Sequence, residues 1–196
     1  MRKNEAAEQQ IIEKSLELFN TRGYAATSVQ DIMDATGLPK GSIYRRFQGK
    51  EDIAVAAFEY SGKIIMEKIQ EKIDAQERFA DKLMAFYEIY SDSVNAPVIN
   101  GGCPMLNTAT QTETEMPHLH ALAAERYRQV LDFFRMLIQQ GIECGEFRKD
   151  TNAEELASFL MSAGEGAVMA SRLLGDNDQM CISETWIRKL LEQIKA

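Results

Sequence analysis

Apolar residues recur along this chain at helical spacing, broken by short polar segments, and no stretch shows the two-residue alternation of a strand. Residues 5–22 carry Ile12, Leu16 and Phe19 at i, i+4 and i+7, and Gly23 stops the run. Val29, Ile32 and Met33 give a second, shorter helix one inward face. Two overlapping capping boxes precede it, Thr27 with Gln30 and Ser28 with Asp31, and Gly37 is placed to end it at positive φ. Pro39 suits the first turn of a third helix, anchored only by Ile43 and Phe47. A fourth is predicted over 50–74, with Gly49 as cap and Glu51 and Asp52 at the positive end of its dipole.

Further helices are predicted over 79–94 and 105–112, with a Pro- and Gly-rich loop at 95–104 between them. Others follow over 117–142 and 153–174, and a last one carries Trp186, Leu190, Leu191 and Ile194. Within 153–174, Ala157, Leu160, Met161, Gly164, Val168 and Ser171 make a small-residue stripe along which another helix can approach. The fold class is therefore all-α. Helix, short turn, helix at residues 28–47 is the helix-turn-helix arrangement, whose second helix can lie in a DNA major groove.

Local punctuation alone describes any small helical hairpin equally well. Charge favours the DNA alternative. Residues 1–50 hold a net +2 while the remainder holds −10, giving the −8 of the whole chain. Lys40, Arg45, Arg46 and Lys50 fall within eleven residues, on a segment too small to bury much. A cationic end on an acidic protein directs its field toward a polyanion.

Other classes find less support. Cys103, Cys144 and Cys181 have neither an even count nor metal spacing, which points to a reducing cytoplasm. No apolar run approaches a membrane span, and MRKNEAAEQQ is too polar for a secretory signal. His118 and His120, two apart, point to different faces of a helix. No phosphate loop, nucleophile elbow or Cys–His pattern occurs, so neither an enzyme, a metal nor a cofactor is expected.

The amphipathic first helix ending FNTRGYAATS, then IMDATGLPKGSIYRRF, then KEDI resembles the DNA-binding domain of the TetR family of bacterial repressors. Arg45 and Arg46 stand where many members carry aromatic residues or histidine. The resemblance implies a DNA-binding domain at 1–49 and a helical effector-binding and dimerisation domain at 50–196. It implies a double-stranded operator as partner, a palindrome read by a homodimer joined through the last two long helices.

Position in that family, joined to side-chain chemistry, assigns the candidate roles. Lys40 reaches base edges, Gly41 lets backbone approach a base, and Gln30 enters the groove from the preceding helix. Thr27, Ser28, Ser42, Tyr44, Arg45, Arg46 and Lys50 bind phosphates, helped by the helix N-termini near Thr27 and Lys50. A small-molecule effector, largely apolar, is expected among Phe86, Tyr90, Cys103, Met105, Tyr127, Phe134, Met161, Glu165 and Met169, the alternative being that these fill the core. Cys103, before a short helix, also raises a redox- or electrophile-sensing regulator, against the simpler alternative of a small buried hydrophobe. A DNA-bound activator or adaptor recruiting a protein is a further possibility.

Overall fold

The computed structural model describes residues 3–196, with side chains described from Glu5; Met1 and Arg2 of the polar N-terminal stretch lie outside the described residues. Helices follow in the order α1 (Lys3–Arg22), α2 (Val29–Thr36), α3 (Lys40–Tyr44), α4 (Lys50–Asp74), α5 (Phe79–Ile89), α6 (Pro104–Gln111), α7 (Pro117–Glu143), α8 (Ala153–Leu174) and α9 (Asp178–Gln193). There is no strand among the described residues; one isolated bridge pairs Phe147 with Lys195. The all-α expectation holds.

Packing divides the chain into two units. The first gathers the residues up to Ile64 with Ile99–Glu125; the second gathers Ile65–Val98 with Arg126–Ala196. Helices α4 and α7 each run through the boundary, so α6 and the start of α7 pack with the N-terminal helices.

In the first unit, α1 buries Ile11, Leu16, Leu18 and Phe19, with Phe19 stacked on Tyr24 at 5.1 Å between ring centroids. The stripe enters the core through Ile11, while Ile12 is only half-buried. Ile32, Ile43, Phe47, Ile53 and Ala54 join this core, with Phe58, Met116 and Leu119 among its other members. Glu51 does not serve the start of its own helix. Its Oε1 accepts from the backbone N–H of His118 at 3.0 Å and of Leu119 at 3.4 Å, capping α7.

The second unit is built on aromatics. Phe86 meets Phe134 edge-on at 5.6 Å and lies 5.3 Å from Tyr90, while the Tyr87 hydroxyl donates to the Leu160 carbonyl. Burial holds the Tyr87 phenol above its ordinary pKa. The small-residue stripe of α8 faces inward. Ala157, Leu160, Met161, Gly164, Val168 and Ser171 are all buried, and a Cβ on Gly164 would stand 2.6 Å from the Phe86 ring. Within the chain, Gly164 lets α8 meet the Phe86 ring of α5, while Ser171 Oγ accepts from the Met180 N–H of α9 at 3.1 Å.

Outward, α8 presents a different stripe: Phe159, Ser162, Gly166, Met169 and Leu173, with Leu173 80% exposed. On α9, Ile182 and Trp186 are likewise exposed, Trp186 at 63%, with the Lys189 ammonium 4.5 Å from the centre of its ring.

Candidate nucleic-acid interface

The α2–turn–α3 segment is shaped by local chemistry. Ser28 caps α2: its Oγ accepts from the Asp31 N–H at 3.1 Å, and the Ser28 N–H donates to Asp31 Oδ2 at 2.7 Å. These bonds hold the Asp31 carboxyl below its ordinary pKa, the Ser28 hydroxyl first and the Ser28 backbone next, with Arg22 adding a smaller share. Gly37 takes φ 68° and returns its N–H to Met33, turning the chain into Leu38 and Pro39. Pro39 then stands as the cap of α3, one position ahead of the expected first turn.

Helix α3 is shorter than the pattern predicted. It ends at Tyr44, and a tight turn follows in which Arg46 and Phe47 both donate to the Ile43 carbonyl. Ile43 is its one buried residue. Lys40, Gly41, Tyr44 and Arg45 are exposed, Tyr44 at 46%, and the Lys40 ammonium lies 5.6 Å from the Tyr44 ring centre. That pair holds a cation and an aromatic face together on the outer edge. A Cβ built on Gly41 meets nothing, so packing within the chain does not require glycine there.

The other expected contacts are placed variously. Ser28 and Gln30 are exposed, with Gln30 bonded to Asp34 at 2.8 Å. The Arg46 guanidinium folds back onto Ser42, at 2.7 Å to its carbonyl and 3.0 Å to its hydroxyl. Lys50 reaches the Ala25 carbonyl at 3.4 Å, bridging the start of α4 to the loop before α2.

Thr27 needs correction. Its side chain is fully buried, and its hydroxyl donates to Gly23 O at 2.8 Å and Leu18 O at 3.3 Å. It pins the loop to the end of α1, so the expected hydroxyl–phosphate contact is not available. The Ser28 N–H likewise belongs to Asp31, which weakens the case for an anion site at this helix start. The overlapping capping boxes left Thr27 and Ser28 equivalent; the choice depends on which hydroxyl the end of α1 covers. Arg22, exposed and 3.6 Å from Asp31, adds a cation beside α2 that the pattern had marked only as a helix end.

The expected effector set divides between the units. Cys103 and Met105 belong to the first, at the start of α6; Cys103 is its N-cap and only 4% exposed. Phe86, Tyr90, Tyr127, Phe134, Met161, Glu165 and Met169 belong to the second. Phe86, Tyr90, Phe134 and Met161 are buried; Tyr127 and Glu165 are half-buried. Met169 must leave the set. It is 52% exposed on the outer stripe of α8, since residue 169 falls one position beyond the inward-facing Val168.

A helix-turn-helix that presents Lys40 and Tyr44 on its second helix, and Arg45 just after it, has the build of a DNA-binding regulator. The sequence comparisons specify it. The family described as "Bacterial regulatory proteins, tetR family" matches residues 11–57, and "Tetracyclin repressor-like, C-terminal domain" matches residues 80–183. The chain belongs to the TetR family of transcriptional regulators.

A TetR transcriptional regulator from Chloroflexus aurantiacus J-10-FL is similar in structure, with TM-score 0.93 and 33% identity over 100% of this chain and 98% of that one. A TetR-family regulator from Cytophaga hutchinsonii also has TM-score 0.93, at 29% identity and the same coverage of both chains. Among curated relatives, the HTH-type transcriptional repressor DhaR of Mycobacterium sp. (strain GP1) is 25% identical over 84% of this chain and 82% of its own. No helix among the described residues is long and apolar enough to cross a membrane.

Proposed function

We propose that the chain is a ligand-responsive repressor that binds a palindromic operator as a homodimer and leaves it when a small, largely apolar effector occupies the helical body. The observation that carries the DNA half is the outer edge of α3. Lys40 and Tyr44 are exposed on a helix with a single buried anchor, and Arg45 is exposed at its C-terminal cap. Lys40 reads base edges, with Gly41 letting the backbone come close; Gln30 approaches from α2. Ser28, Ser42, Tyr44, Arg45, Arg46 and Lys50 hold phosphates and so fix register without specifying sequence. The proposed DNA contacts all lie at or before Lys50, while the compact unit that carries them also takes in Ile99–Glu125.

Support for the dimer comes from the outward stripes of α8 and α9, which offer Phe159, Met169, Leu173, Ile182 and Trp186 to a second copy. The effector reading rests on Phe86, Tyr90, Tyr127, Phe134, Met161 and Glu165: an aromatic interior with one carboxylate able to orient a polar group. Such a ligand acts only by preferring the arrangement that fits DNA poorly. The relatives' names favour repression over activation, and a thiol as covered as Cys103 gives electrophile sensing little support.

The test is titration of a duplex, selected from a random-sequence library on the wild-type protein, at several salt concentrations. Arg45→Ala should weaken binding to all duplexes and flatten the log–log salt slope by about one unit. Lys40→Ala should relax base preference at one position, by about 1–3 kcal/mol. Identical slopes and preferences in all three proteins would refute the assignment.

A further inference from the structure

The packing that joins residues 99–112 to the end of α1 is polar where a core is ordinarily apolar. Asn20 is buried, and its Nδ2 donates to the carbonyls of Asn100 at 2.7 Å and Gly102 at 2.9 Å. Asn107, one turn into α6, donates to Asn20 Oδ1 at 2.8 Å and to the Gly101 carbonyl at 3.0 Å. Tyr24 and Thr108 bond hydroxyl to hydroxyl at 2.8 Å, and the Tyr24 N–H donates to Gln111 Oε1 at 3.1 Å. Fit is as close as bonding. A Cβ on Gly101 would stand 2.0 Å from the Asn20 carbonyl oxygen.

Such a network is directional and all-or-none. Sliding residues 99–112 away would leave several buried polar groups unpaired, whereas an apolar contact would yield gradually. The same end of α1 holds the loop into α2 through Thr27, and Tyr24 stacks on Phe19.

We propose that Asn20 and Asn107, with Tyr24 and Thr108, form a latch that positions the α2–α3 head for DNA, so that the seating of residues 99–112 sets operator affinity. These are positioning residues, and the inference rests on the DNA-binding role given above. Coupling must be reciprocal: if the latch governs DNA affinity, bound DNA must tighten the latch.

The experiment begins with amide hydrogen exchange on the wild-type protein, with and without the selected duplex. The expected result is slower exchange at residues 99–112 as well as at 27–50. Protection confined to 27–50 would overturn the proposal. Affinities are then compared well below each variant's unfolding midpoint.

Asn107→Asp keeps the shape and removes the donor, and Thr108→Val removes the hydroxyl. Each should bind about fivefold or more weakly, within the usual range of coupling between sites. Thr108→Ser restores the hydroxyl and should bind as the wild type does. Gly101→Ala should bind poorly, whereas Gly145→Ala, at a similar φ of 82° with open space around it, should not. Folded Asn107→Asp and Thr108→Val proteins that bind normally would also overturn the latch. A wild-type protein that enriches no duplex would instead remove the DNA-binding role beneath it.

Discussion

The DNA contact proposed for Gly41 depends on a side chain it lacks. In the first turn of a short exposed helix glycine still has lower helix propensity than alanine, and no neighbour in the chain demands it. Gly41→Ala should therefore raise or preserve the denaturation midpoint while weakening duplex binding, because the added methyl lies where a base edge would come. Opposite signs in the two measurements are the signature. A variant both stable and fully competent would mean that α3 does not bring its backbone close to DNA. Lys40 and Tyr44 sit on the same edge, so their loss should act in the same direction on binding alone.

At the scale of elements, the proposed dimer seam joins the outward stripe of α8 to the exposed Ile182 and Trp186 of α9. Leu173→Glu places a charge on an apolar strip and should shift sedimentation toward monomer. An unchanged sedimentation profile would exclude this strip from the dimer seam. Much at this scale was legible in the sequence. Gly37 and the overlapping capping boxes ahead of α2 are local signals, and local signals set helix ends.

The direction each helix faces was less legible. Ala157 to Ser171 announced that another helix would come close without saying whose, and the neighbours are the chain's own: Phe86 of α5 at Gly164 and Met180 of α9 at Ser171. Met169 looked like a cavity residue because methionine suits cavities, yet a single step beyond Val168 turns it outward. Spacing fixes which residues share a face; it does not fix which neighbour that face meets. The Asn20–Asn107 pair was invisible for the same reason, its members lying 87 positions apart.

At the scale of the whole molecule, two-fold assembly makes stability depend on how much protein is present. A dimer that dissociates as it unfolds should show a melting midpoint that rises with chain concentration. The Leu173→Glu protein should lose that dependence. A wild-type midpoint independent of concentration would separate folding from assembly and leave the palindrome without its structural counterpart.

Regulators are commonly recombined by splicing the reader of one onto the sensor of another. Here the reader is discontinuous, since Tyr24 and Asn20 find their partners in residues 99–112. A chimera cut after residue 49 would strip those groups of their mates and oblige them to accept a stranger's surface. A working graft must carry the later segment along, or remodel the recipient's equivalent helix to receive it.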